Sequence, residues 1–191
     1  MSSGLQTRVE SMLLEADRLA LRVLAPAARK MIVVLRSLAK GEKSVDDMLA
    51  ECMLLYPGCK NLGPTLAFLE KLGVVERRGG DRYALTEFGK SVADALFDII
   101  RDVRSLLENA LKGSLNPVDL YVQLVTPAMS MVEIAMDTRS KSELMLALVT
   151  HAYISTLMAS ALSVLARSDP RFRSALELIE RMILGETGGE E

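Results

Sequence analysis

Apolar side chains at Leu5, Val9, Met12, Ala16, Leu19 and Val23 recur at alternating steps of four and three, which predicts a helix over residues 5–24. A seam that narrow suits packing along the body of the protein or pairing with a second helix, and three heptads do not choose between them. Pro26 fits the first turn of a new helix, where its missing N–H costs nothing. Ala28, Ile32, Leu35 and Leu38 give this helix an inner face, and Lys40-Gly41 ends it. Ser44, followed by Asp46 and Asp47, is placed to cap the next helix, whose carboxylates also complement the helix dipole. Its buried side is Val45, Met48, Leu49, Cys52 and Leu55, and Tyr56-Pro57-Gly58 then breaks the chain. A short third helix is expected from near Asn61 or Gly63-Pro64 to Leu72-Gly73.

The pattern then changes period. Val74 to Arg78 and Asp81 to Leu85 flank Gly79-Gly80, which predicts two short strands around a glycine turn, and Thr86 is placed to cap a helix after them. A two-residue Gly79-Gly80 loop would set Arg77 opposite Arg82 on one face and Arg78 opposite Asp81. From residue 91 the chain reads as helical again. Val92, Leu96, Ile99, Val103, Leu106 and Ala110 share a face up to Gly113, and Asn116-Pro117 opens a helix that Pro127 should kink or split. A long helix is expected from about Ser140 to Arg167. Another starts at Asp169-Pro170, with Phe172, Leu176, Ile179 and Ile183 inward and a mobile tail from Gly185.

Half of the 191 residues are hydrophobic, a quarter are charged and only 4% are aromatic, a globular composition that favours packed helices. The formal net charge of −2 does not suggest a nucleic-acid binder, but its distribution alters that picture. Residues 1–90 carry about +3 and residues 91–191 about −5, so a mildly basic front is joined to an acidic back. The start Met1-Ser2-Ser3-Gly4 has neither a basic region nor an apolar run of the secretory kind, so a cytoplasmic protein is expected.

Leu69-Glu70-Lys71-Leu72-Gly73-Val74-Val75, followed by Arg82-Tyr83-Ala84-Leu85-Thr86 and Gly89, resembles the LxxLGxV … RxYxLTxxG end of winged-helix regulators of the MarR, PadR and ArsR kinds. The resemblance covers roughly a third of the chain, and the flanking helices resemble the MarR arrangement, in which both ends build a dimer. It implies a mainly α fold with one small β-hairpin: a winged helix-turn-helix over residues 26–90, an N-terminal arm over 1–25 and a helical dimerisation domain over 91–184, before the tail at 185–191. It also implies a homodimer bound to double-stranded DNA, with the third helix in the major groove. The residues expected to meet DNA are Lys60, Asn61, Thr65 and Lys71 from that helix, and Arg77, Arg78 and Arg82 from the hairpin. The alternative is a winged-helix module that docks another protein, to which a helix poor in Arg and Gln and a surface Phe68 would be suited.

Other candidates weigh less. His151, the sole histidine, lies among Val149, Ala152 and Ile154 and reads as a core or interface residue, so neither a catalytic constellation nor a metal site is expected, and no cofactor. Cys52 and Cys59 read either as buried small apolar residues or as a bridge that would clamp the third helix to the second. Leu144 to Ala166 carries no formal charge and is long enough to cross a bilayer, but contains Thr150, His151, Ser155, Thr156, Ser160 and Ser163. Ala152, Thr156, Ala159, Ser163 and Ala166 form a small-residue seam, which fits a central helix wrapped by neighbours and a dimer partner better than a membrane span. No residue pattern identifies a small-molecule effector.

Overall fold

The computed structural model describes residues 3–116, 119 and 141–184. Helix α1 (Ser3–Val23) leads into α2 (Pro26–Leu38), a short strand β1 (Lys43–Ser44), α3 (Val45–Leu55) and α4 (Gly63–Lys71). Strands β2 (Val75–Gly79) and β3 (Arg82–Leu85) come next, then α5 (Glu87–Leu111), α6 (Lys141–Ser168) and α7 (Pro170–Leu184). The fold is thus mainly helical, with one antiparallel three-stranded sheet in the order β1-β3-β2. Only β2 and β3 are expected from the sequence. The third strand is two residues long, too short for an alternating pattern, and pairs Lys43 with Tyr83 and Ser44 with Arg82.

The ends of these elements follow from identifiable side chains. Ser44 Oγ accepts from the Asp47 N–H at 3.1 Å, and the Asp47 carboxylate reaches back to Ser44, a reciprocal capping box at the start of α3. At the end of α4, Gly73 takes a φ of +68°, while its N–H donates to Glu70 and that of Val74 to Leu69. This pairs the carbonyls a helix end leaves open, and turns the chain directly into β2. Thr86 Oγ1 accepts from the Gly89 N–H at 3.0 Å and donates to the Gly73 carbonyl at 2.5 Å, fastening the first turn of α5 to that same corner. Gly89 sits where a Cβ would lie 1.9 Å from the Val74 carbonyl oxygen, so only glycine fits there. The Leu-Thr-x-x-Gly stretch is therefore a packing device joining hairpin to helix.

Helix α2 is the centre of the N-terminal part. Met31, Ile32, Val33, Val34, Leu35 and Leu38 are all buried, so it is covered on nearly every side, more than its predicted inner face of four residues. On α3, Met48 and Cys52 are fully buried while Val45, Leu49 and Leu55 pack at its margin. α1 lies along α6, burying Val9, Met12, Ala16, Ala20 and Leu21. Its expected seam therefore holds at Val9, Met12 and Ala16 but fails at Val23, which is 73% exposed, and the packing reading of this helix accounts for its buried face. α6 is the one helix among the described residues long and apolar enough to cross a membrane. Its Tyr153, Ile154, Leu157, Ala161 and Leu165 are buried against the rest of the protein. Of the small seam, Ala166 is buried and Ala159 and Ser163 are exposed. α5 runs unbroken from Glu87, so the expected division at residue 90 falls inside a helix. Phe172 is buried on α7 and Leu176 packs against the core. Ile179 and Ile183 fall on α7, but their side chains lie outside the description, and the break expected at Pro127 and the tail from Gly185 lie outside the described residues.

Candidate nucleic-acid interface

Two elements carry the residues singled out from the sequence. α4 is only nine residues long, and its inner side is set by Leu62, Leu66 and Leu69, all at most 1% exposed. Thr65 lies between the first and last of these on the same side and is 9% exposed, so it is a core residue and not an outward DNA contact. The leucine spacing already contained this: four-three steps through 62, 66 and 69 turn position 65 inward. Exposed along α4 are Gly63, Pro64, Ala67, Phe68, Glu70 and Lys71. Lys60 and Asn61 are exposed just before its first turn and Lys71 ends it, which separates these cations by about 12 Å or more along the axis.

The turn that presents Lys60 and Asn61 is fastened from three directions. Lys30 Nζ of α2 donates to the carbonyls of Lys60 and Asn61 at 2.7 and 3.0 Å. Asn61 adopts φ +56°, and its Oδ1 accepts from the Gly63 N–H at 2.9 Å, so its side chain is engaged in starting α4. Cys52 and Cys59 form a disulfide with Cα atoms 5.9 Å apart, tying the last turn of α3 to the residue before Lys60. Both bridge and burial apply to these cysteines, since they are 0% and 1% exposed. The bridge closes the α3–α4 connection; it does not clamp α4 itself. Lys30 was not among the expected residues, and nothing local in the sequence distinguishes it from a surface lysine.

The hairpin differs from expectation by one residue. Its two-residue turn is Gly80-Asp81, not Gly79-Gly80, and β2 carries an irregularity between Arg77 and Gly79. Arg77 therefore faces Tyr83 and Arg82 faces Gly79, so the two arginines are not opposite each other, and Arg78 is the extra, unpaired residue. Gly-Gly and Gly-Asp both supply the positive φ a tight turn needs, which is why the sequence admits either register. Each arginine has a protein partner. Arg77 Nε donates to the Gly80 carbonyl at 2.7 Å, with its guanidinium 5.8 Å from the Tyr83 ring centre. Arg78 pairs with Glu76 at 2.5 Å, not with Asp81, and Arg82 pairs with Glu42 from the segment before β1. That hydrogen bond and its charge raise the Arg82 pKa above the ordinary arginine value. All three arginines are nevertheless exposed, and ion pairs in open solvent exchange partners at little cost.

Beside α4, Ala28 and Met31 of α2, Pro64, Thr65 and Phe68 of α4, and Met145 and Val149 of α6 line an apolar groove of about 520 Å³. Phe68 is 36% and Met145 47% exposed on its walls. His151, half-buried on α6, faces Ser155 Oγ at 3.5 Å. Among the described residues no three His, Cys, Asp or Glu side chains gather into a group that could hold a metal ion.

No family model matches the chain, and no curated protein or solved structure is detectably similar to it.

Proposed function

We propose that the protein is a homodimeric regulator of transcription that binds double-stranded DNA through a winged helix-turn-helix formed by residues 26–90. The single observation that carries this reading is the sequence of elements α2-β1-α3-α4-β2-β3, in which α4 passes through the Gly73 turn straight into a hairpin with three exposed arginines. In that arrangement α4 enters the major groove, and Lys60, Asn61 and Lys71 meet the duplex at its two ends. Arg77, Arg78 and Arg82 exchange their carboxylate and carbonyl partners for phosphates, which costs little because those pairs are exposed. Met145, Leu148, Ala159 and Ser163 leave an exposed face on α6 that a second copy covers, giving the two-fold arrangement that matches paired half-sites. Selection of bound sequences from a random duplex library tests the reading directly: it predicts an enriched two-fold motif, and failure to retain any duplex at low salt refutes it. Sedimentation that shows a stable monomer at micromolar concentration removes the dimer.

A second reading has its own observation. The outward side of α4 offers Pro64, Ala67, Phe68 and the acidic Glu70, beside an apolar groove, which suits a protein partner better than a phosphate backbone. If duplex DNA is not bound, docking of a partner on this face becomes the leading account.

A further inference from the structure

We propose that Arg29 and Arg36 of α2, together with Asp17 of α1 and Tyr153 of α6, are positioning residues that fix the angle at which the DNA-facing unit is held on the helical body. The inference rests on the DNA-binding reading above. The two arginines are seven residues apart, two turns along one side of α2, and both reach α1. Arg29, 7% exposed, donates from Nη2 to the carbonyls of Arg22 and Leu24, each at 2.9 Å, closing the C-terminal end of α1. Arg36 donates from Nη1 to both oxygens of Asp17 at 2.7 and 2.8 Å. The Tyr153 hydroxyl, on a fully buried side chain, donates to Asp17 Oδ1 at 2.7 Å. Burial and the neighbouring Asp17 charge push the Tyr153 pKa far above the ordinary tyrosine value, so it stays a donor wherever the protein is folded.

Desolvating Asp17 to 6% exposure is costly, and buried ion pairs return little net stability compared with apolar side chains of the same size. What such a cluster supplies is direction. Apolar faces slide and rotate over one another at small cost, whereas hydrogen bonds to a buried carboxylate hold only within a narrow geometry. One such contact would leave α2 free to pivot; two, about 10 Å apart along the helix, leave no pivot. The same stretch of α2 also grips the reading turn. The Arg29 guanidinium lies 4.0 Å over the Tyr56 ring, and the adjacent Lys30 holds the carbonyls of Lys60 and Asn61. The helical body and the start of α4 are thereby tied to one rigid segment. In a two-fold dimer the angle of each unit sets the separation of the two reading helices, and hence the half-site spacing that the protein accepts.

The test uses the full chain with the mild variant Tyr153→Phe and the stronger Asp17→Asn. Spin labels on Ser174→Cys, exposed on α7 of the body, and Asp81→Cys on the hairpin tip, with the native disulfide intact and an excess of unlabelled protein, report the unit-to-body distance without DNA. Affinity is then measured for duplexes whose half-sites are separated in single base-pair steps. We expect a narrow distance distribution and one preferred spacing for the parent. Tyr153→Phe should broaden the distribution and weaken the spacing preference by about threefold to tenfold, with the melting temperature little changed. A merely structural role would lower the folded fraction and weaken all spacings equally. An unchanged distance distribution in a folded Tyr153→Phe overturns the proposal, and this variant decides if Asp17→Asn does not fold. Should the parent bind no duplex, the DNA reading fails while the distance measurement still decides on the joint.

Discussion

Reducing the Cys52–Cys59 bridge removes one covalent constraint and changes no residue of the sequence, which makes it a cleaner perturbation than any cysteine substitution. The two residues are separated by seven positions, so the bond closes a loop of about eight residues in the unfolded chain. The chain-entropy relation then gives about 2.5 kcal/mol of stabilisation at 25 °C. For a protein of this size that corresponds to a fall of about 5–10 °C in the melting midpoint. Both cysteines are at most 1% exposed, so reduction is carried out in denaturant and the protein refolded with reductant present. The reduced thiols pack as small apolar groups, so no polar penalty is added to the loss. The assay is a pair of urea titrations, oxidised and reduced, with thiols counted in the unfolded protein. A count of two thiols before any reductant, or stabilities within about 0.5 kcal/mol of each other, would refute the argument.

Three further outcomes rest on single interactions. Ser44→Ala should cost about 1 kcal/mol in urea unfolding at neutral pH, because it removes the cap of α3. The Ser44 hydroxyl, and then its backbone N–H, hold the exposed Asp47 carboxyl below its ordinary pKa. Stability from this group is therefore present above the unfolded carboxylate range and lost as pH falls through the lower folded value, so the parent's advantage over Ser44→Ala should narrow below about pH 4 to what the hydroxyl's cap on the Asp47 N–H supplies. Gly89→Ala drives a Cβ to 1.9 Å from the Val74 carbonyl oxygen, and should cost about 3 kcal/mol; a change under about 1 kcal/mol in the same titration would show that the corner yields freely.

How much of the fold and of the interface was legible depended on the range of the interaction. Helix positions followed from local periodicity, and the caps at Ser44 and Thr86 and the turn at Gly73 from the chemistry of single residues next to their partners. Thr65 was misread because its polarity was weighed above the leucine spacing around it. The hairpin register slipped by one because two adjacent dipeptides satisfy the same backbone requirement. The Arg82 partner and the cluster at Asp17 were hidden for another reason: Glu42 lies 40 residues from Arg82, and Tyr153 lies 136 from Asp17. No window along the chain contains both members of such a pair, and a lone Arg36 or Tyr153 in a helix reads as surface or core until the fold brings them together.

The most direct test of the DNA reading is duplex affinity as a function of salt, for the parent and for a variant in which Arg77, Arg78 and Arg82 are all alanine. If these exposed arginines meet phosphates, the parent's log affinity falls steeply with log salt, and the variant's slope is shallower by about one for each phosphate-binding arginine removed from a protomer. Asn61→Gly, which keeps the positive φ of that turn, should leave that slope nearly untouched while changing the preferred sequence. Because the three arginines hold only exposed partners, the variant should stay folded, with stability shifted by about half a kcal/mol per site. A folded triple variant that binds duplex with the parent's affinity and slope would contradict the account.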